Sequence, residues 1–490
     1  MKQRRVVPSW FVYLFGAMGG LILGYDTSII SGALGYLDSA LKIEPNTTSE
    51  GFVTAAVTVG AIIGALVFGK LSDMIGRKKC VMIVAVIFLI GSLSCGFANA
   101  FGPFSGWVII LIARIISGIA VGGASALVPL YLSEISPYQR RGSLSFLNQL
   151  MMVLGILVGY LINFLMVQAH PDPDPDPALS TQIFNQWNVS YGWRISFFIA
   201  AIPAIFLFVG TFFLPESPRY LALKGKVSEA RDVLVGLRSS LKLVDEELEA
   251  IQESDKGPKG KFSFLFTKYR KALVAAIGLA AFQQFMGCNT VVYYTPKILE
   301  ICGFTTFQSR LSTVAIGVAN VVATLIAIAI VDKFGRKVLF IFGGIAMGIF
   351  TAGIAIMATM CFHEVGQGPD VLALNNQMQS TPVIIATVTI MMLYIISFGI
   401  SWGGAMWVVL GEIFPNSVRG VGVGVGSMTN WISNTIVTAF FPVILGTLGI
   451  ANSYLILTLF CILGVIFVTI YLPETKGKTL EEIEDLVTTV

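Results

Sequence analysis

The chain has 490 residues, 55% of them hydrophobic and only 12% charged, with a mean hydropathy of +0.80. Soluble domains carry about 25% charged residues, so this balance excludes an ordinary water-soluble enzyme and points to lipid as the solvent. A net charge of +4 is small, and no nucleic-acid partner is expected; the distribution of charge matters more than its sum.

Apolar segments recur near residues 9–36, 53–69, 80–100, 105–131, 143–168, 193–214, 270–299, 307–331, 337–361, 382–411, 421–446 and 450–472. Each is long enough to cross a hydrocarbon core as a helix, which gives twelve spans. The first run, from Pro8 to about Leu37, is too long for a signal-peptide core and has no evident cleavage site. Lysine and arginine concentrate in alternate loops: Lys2, Arg4 and Arg5, then Arg77–Lys79, Arg140 and Arg141, the 219–269 segment, Lys333, Arg336 and Lys337, Arg419, Lys476 and Lys478. The loops between them hold almost none, so both termini are expected in the cytoplasm.

This gives a six-helix unit over 1–218, a cytoplasmic linker over 219–269, a second six-helix unit over 270–475 and a tail over 476–490. The linker mixes charge with Leu234, Leu237, Leu241 and Leu248, as short amphipathic helices do. The outer loop His170–Pro177 alternates proline and aspartate and is expected to be extended, with no pocket of its own. Sequons at Asn46 and Asn188 fall in outer loops.

The most informative feature is internal repetition. Asp73-x-x-Gly76-Arg77-Lys78 after the second span recurs as Asp332-x-x-Gly335-Arg336-Lys337 after the eighth. Glu134-x-x-Pro137 with Arg141-Gly142 recurs as Glu412-x-x-Pro415 with Arg419-Gly420. Leu214-Pro215-Glu216 recurs as Leu472-Pro473-Glu474. Three signatures in one order, six spans apart, mean two homologous halves, the architecture of transporters that expose a midplane site to each side in turn. The repeated acids and bases all lie on the cytoplasmic side. They are expected to hold the halves together while the site faces outward and to part when it faces inward.

Charged groups inside spans are few, and each is a functional candidate. Asp26 lies in the first span and Arg114 in the fourth. Arg114, Gly118 and Gly122 share a helix face, so the arginine sits on a close-packing surface. An Asp26–Arg114 pair is the simplest way to house both charges, either as a static staple or as a proton switch. Neutral amides form a second group: Gln149, Gln283, Gln284, Asn289, Asn320 and Asn430. Each offers donors and acceptors together, which suits the hydroxyls of a sugar. Trp402, Trp407 and Trp431 add flat faces on which a pyranose could rest. Gln284 and Asn289 are five residues apart, roughly 140° around a straight helix, so both can line one cavity only if the seventh span bends or unwinds. Gly287 is the expected break, with Pro296 as a second.

The six cysteines are scattered, without a CxxC pair, and read as small buried hydrophobes. His170 and His363 fall in loops and do not make a metal site. Neither a metal nor a cofactor is expected, and no nucleophile motif suggests an enzyme.

The strings GYDTSIISG, GKLSDMIGRKK, YLSEISPYQRRG, LPESPRYL, FQQFMGCNTVVYY, VDKFGRK, SWGGAMWVVLGEIFPNSVRG, TNWISN and LPETKGKTLEE span nearly the whole chain. Together they resemble the sugar porter family of the major facilitator superfamily, and most nearly its bacterial proton-linked pentose and hexose symporters. The resemblance implies sugar contacts at Gln149, Gln283, Gln284, Asn289, Asn320, Trp407, Asn430 and Trp431, with Gly403 at a backbone position near the sugar. It also implies that Asp26, with Arg114, is the proton-linked acid of the first span. Asp73, Arg77, Glu134, Arg141, Glu216, Asp332, Arg336, Glu412, Arg419 and Glu474 would form the cytoplasmic gate. Met74 departs from the usual basic residue there, and Leu23 and Ile156 replace an aromatic and a glutamine found in xylose symporters, which leaves the preferred sugar open. The expectation is a proton-coupled importer of a monosaccharide, monomeric and multi-pass in the plasma membrane. A facilitative uniporter and a non-transporting sugar sensor are the alternatives.

Overall fold

The computed structural model describes residues 8–41, 47–98, 103–137, 141–173, 185–238, 240–256, 262–301, 304–361, 381–415, 418–474, 476 and 486–487. The first half contains α1 (Ser9–Gly16), α2 (Met18–Leu41), α3 (Thr47–Ile75), α4 (Arg77–Phe97), α5 (Pro103–Ile135), α6 (Arg141–Ala169), α7 (Trp193–Ile199) and α8 (Ala201–Phe213). Three linker helices follow, α9 (Pro218–Leu223), α10 (Val227–Leu237) and α11 (Leu241–Lys256). The second half contains α12 (Arg270–Phe285), α13 (Cys288–Ile301), α14 (Thr306–Phe334), α15 (Arg336–Cys361), α16 (Thr381–Phe398), α17 (Gly404–Glu412) and α18 (Arg419–Tyr471).

Among the described residues, eleven continuous stretches are long and apolar enough to cross a membrane. The last, α18, has 53 residues, about 80 Å at helical rise and far more than one hydrocarbon core needs. Gly449 interrupts it with φ 75° and ψ 174°, so α18 is the eleventh and twelfth spans in one run. Phe342, Ile349, Phe206 and Ile470 are each more than half exposed, whereas Asp26, Arg114, Gln283 and Asn430 are buried. Apolar outside and polar inside is the pattern of a lipid-solvated bundle. The halves meet where α2 packs on α13, α3 on α18 and α6 on α14. Gly118 and Gly122 lie against the Val57 and Ala61 carbonyls of α3, with no room for a side chain.

The duplicated signatures build matching turns at one end of the bundle, called here the basic end. Gly76 has φ 99° and Gly335 has φ 90°, a region that favours glycine. A Cβ would also come within 2.3 Å of a Glu216 oxygen at Gly76 and within 2.8 Å of a Glu474 oxygen at Gly335. Those carboxylates cap the helices that begin there. Glu216 Oε1 accepts from the backbone N–H of Arg77 at 2.8 Å and of Lys78 at 3.1 Å. Glu474 accepts from the N–H groups of Arg336 and Lys337, both at 3.2 Å. Negative charge on the first-turn amides of α4 and α15 satisfies orphan donors and complements the helix dipole. In return the Lys78 ammonium donates to Phe212 O at the end of α8, and Lys337 to Thr469 O near the end of α18.

The seventh span is discontinuous. Helix α12 ends at Phe285, Met286 and Gly287 form a turn with Gly287 at φ 92°, and α13 starts at Cys288. Tyr394 donates its hydroxyl to the Met286 carbonyl at 2.9 Å. Pro296, expected as a second break, lies inside α13 without one. Its ring removes the N–H that would pair with the Val292 carbonyl, but Tyr160 on α6 donates to that oxygen at 2.7 Å. Pro442 in α18 is handled alike: Tyr294 donates to Thr438 O at 3.0 Å.

The linker contains three short helices, of which α10 buries Ala230 and Leu234 while Leu241 at the start of α11 stays exposed. Of the outer loop, residues 174–184 lie outside the described set, as does Asn46. Pro171, Asp172 and Pro173 line a cavity of about 310 Å³ with Thr305, Thr306 and Phe307, so this stretch is not without a pocket. Asn188, expected in an outer loop, instead opens a π-helical turn over Asn188–Gly192; it is buried, and its amide donates to His170 O at 2.7 Å and Asp172 Oδ1 at 3.1 Å.

Replacing Gly287 with alanine would force a side chain into a left-handed conformation and to within 2.6 Å of Leu457 Cδ1. A loss of about 1–3 kcal/mol is expected, measured as a lower thermal unfolding midpoint of the purified protein.

Candidate transport site between the halves

The break at Gly287 brings Gln283, Gln284 and Asn289 to one place. Asn289 Nδ2 donates to Gln284 Oε1 at 2.8 Å, and Gln284 Nε2 donates to Asn430 Oδ1 at 3.2 Å and Gln283 Oε1 at 3.3 Å. Asn430, on α18, donates in turn to Gln283 Oε1 at 2.7 Å and to Ala280 O at 3.2 Å. Four amides from three elements, α12, α13 and α18, thus form one continuous network. All but Asn289 are buried, at 3–5% exposure for the two glutamines and Asn430.

The tenth span supplies the outer edge of this network. Between α16 and α17, residues Gly399–Gly403 form a π-helical turn. Such a turn shifts the usual carbonyl pairing and is common at functional sites. Here Gln283 Nε2 donates to Trp402 O at 2.7 Å and to Gly403 O at 3.2 Å. The glycine-rich string Gly399-Ile-Ser-Trp-Gly-Gly404 was the available sequence signal for this turn.

The remaining candidates divide. Gln149 on α6 and Asn320 on α14 are buried, on helices that pack across the halves. Asn320 Oδ1 faces Gly399, where an added Cβ would lie 3.2 Å away. Among the described residues neither shares a hydrogen bond with the four-amide network. Trp431 is buried next to Asn430, and its indole N–H donates to Ser125 Oγ of the other half at 3.2 Å. Trp407 is half-buried on α17. Trp402 does not offer a free face: it is fully buried, edge-on to Phe340 at 4.9 Å, and donates to Phe340 O at 3.0 Å. Sequence reasoning did not single out the cross-half pair Thr435–Thr58, at 2.8 Å, because isolated threonines in apolar spans carry no signature.

Asp26 and Arg114 do pair. Arg114 Nη1 donates to both carboxylate oxygens, at 2.9 and 3.0 Å, with the side chains 5% and 0% exposed. Arg114 Nε and Nη2 have no hydrogen-bond partner among the described residues, so the guanidinium is only half satisfied. A buried pair of this kind costs desolvation that its attraction barely offsets.

At the basic end, Arg77 makes a bidentate pair with Glu134 at 2.9 and 3.0 Å and a second pair with Asp73 at 2.9 Å. Arg336 pairs with Glu412 at 3.0 Å, and Arg419 donates to Phe414 O at 3.1 Å. The side chains of Arg141 and Asp332 lie outside the described residues. Each of the contacts named here staples helices within a half, where the arginine at the start of α4 or α15 reaches an acid of its own repeat.

Two halves, a broken seventh span, a network of neutral amides and an ion pair buried inside the spans define a membrane transporter of the two-bundle type. The chain belongs to the sugar (and other) transporter family, whose profile matches residues 12–487. It is 38% identical to a D-xylose transporter of Levilactobacillus brevis, over 98% of this chain and 96% of that protein. It is 34% identical to a galactose-proton symporter of Escherichia coli K12, over 97% and 94% of the two chains. A solved structure of the major facilitator proton:xylose symporter XylE, bound to 6-bromo-6-deoxy-D-glucose, superposes with a TM-score of 0.80, 31% identity and 98% coverage of each chain.

Replacing Asn430 with alanine removes the 2.7 Å donor to Gln283 Oε1 and the 3.2 Å acceptor of Gln284 Nε2, leaving those two atoms only their 3.3 Å bond to each other. We expect the sugar KM to rise about 10-fold, one hydrogen bond's worth, in uptake by proteoliposomes.

Proposed function

We propose that this protein is a proton-coupled monosaccharide symporter that imports a pentose or hexose by alternating access. The observation that carries the substrate class is the four-amide network: it is uncharged, and every member both donates and accepts. A sugar hydroxyl does the same, so a bound sugar replaces amide–amide hydrogen bonds nearly one for one. An anion or cation would find no fixed counter-charge there. The flanking indole of Trp431 and the half-buried Trp407 supply apolar faces for the C–H side of a ring. Gln149, Asn320 and Gly403 complete the proposed pocket from the neighbouring helices.

Coupling follows from where the ion pair sits. Helix α2 carries Asp26 and packs against α13, which carries Asn289 of the amide network. A proton arriving at Asp26 frees Arg114 and loosens the contact between α2 and its neighbours, so the protonation state biases how α2 and α13 dock. The names of relatives that are proton symporters for xylose and galactose support this reading.

We further propose that the basic end is cytoplasmic, with both termini there and the bundle in the plasma membrane, because lysine and arginine accumulate on the side that is not translocated. The protein works as a monomer, since one chain supplies both halves of the site. The basic-end residues Asp73, Arg77, Glu134, Arg141, Glu216, Asp332, Arg336, Glu412, Arg419 and Glu474 act as a gate by keeping each half rigid at its cytoplasmic rim while the halves rock.

The test is sugar-driven proton movement in proteoliposomes, across a panel of labelled pentoses and hexoses. The transported sugar is expected to alkalinise the outer solution, and Asp26→Asn to abolish that signal and uphill accumulation while sparing counterflow. Downhill transport with no proton movement in the unaltered protein would assign a facilitative uniporter instead.

A further inference from the structure

Among the described residues, the charged contacts that join the halves lie at the end opposite the basic loops. Arg310, on α14 of the second half, is 3% exposed. Its Nη1 donates to Ser31 O at 3.3 Å and its Nη2 to Gly32 O at 3.4 Å, both carbonyls of α2 in the first half. In its own half, Arg310 lies 3.6 Å from the Glu300 carboxylate on α13. Beside it, the Lys297 ammonium of α13 pairs with both carboxylate oxygens of Glu50 on α3. The Lys297 side chain is 34% exposed and the Glu50 side chain 6%.

We propose that Arg310 and the Glu50–Lys297 pair form a latch that closes the site to the far end and sets the balance between its two openings. The inference rests on the alternating-access reading. Its logic is that of a reversible catch. The Arg310 bonds to α2 are long, and Nε has no partner among the described residues, so the guanidinium is held without being trapped. When the halves part, Glu300 moves with Arg310 and keeps its charge paired, while Lys297 and Glu50 pass into water. A cation anchored in one half therefore reads the presence of the other through backbone carbonyls. Removing it takes binding energy from the closed state alone, which shifts the population toward far-end opening.

Arg310 is thus a positioning residue, and its test needs a readout that simple destabilisation would not give. Hydrogen–deuterium exchange of the full chain in nanodiscs supplies one. For Arg310→Leu, exchange is expected to rise about 3-fold or more in far-end peptides covering 29–37, 49–56 and 292–300, and to fall at the basic end over 70–79 and 331–339. Arg310→Lys, which keeps the charge, should lie between. Lys297→Gln should give the same pattern as the leucine variant, a rise at the far end and a fall at the basic end, and serves if that variant fails to fold. Exchange that rises at both ends, or is unchanged at the far end, overturns the latch. Loss of sugar transport by the unaltered protein would instead sink the functional reading.

Discussion

In a bilayer every polar group must find its partner inside the protein, and that constraint shapes this structure throughout. The seventh span shows it best. Gly287 breaks the helix, and the carbonyl of Met286 is taken up by Tyr394. Nine residues beyond Gly287, Pro296 frees a further carbonyl, and Tyr160 reaches across from the other half to occupy it. The break turns three amides toward Asn430, and the tyrosine keeps α13 straight and docked. Backbone satisfaction and site geometry are one problem here, solved by the same few side chains.

The same rule shapes the amide network, where the four side chains pair with one another and Gln283 also donates to the carbonyls of Trp402 and Gly403 at the π-helical turn of the tenth span. A ligand that offers matched donors and acceptors exchanges with these bonds at little net cost. The Asp26–Arg114 pair is different: it is a buried pair of charges, and the guanidinium Nε and Nη2 have no hydrogen-bond partner among the described residues.

Much of this was legible in the sequence. Three repeated signatures announced two halves, because each must supply a glycine of positive φ and a carboxylate cap at the same turn. The angular mismatch of Gln284 and Asn289 announced the break at Gly287, and two lone charges in apolar spans announced their own pairing. What was not legible depends on residues distant in the chain. The continuity of α13 through Pro296 needs Tyr160, and the burial of Trp402 needs Phe340. The basic-end arginines pair within their own halves because the nearest acid in space belongs to the same repeat, which the spacing alone does not reveal. Arg310 lies at the edge of the eighth span, where a charge is unremarkable, and its partners in the other half are carbonyls, which every residue carries.

The most direct test of the central claim is an experimental structure with a transported monosaccharide bound. The account predicts the sugar between the halves, within hydrogen-bonding distance of Gln283, Gln284 and Asn430, with some of their mutual bonds replaced. A sugar bound elsewhere, with the four amides still paired to one another, would contradict it.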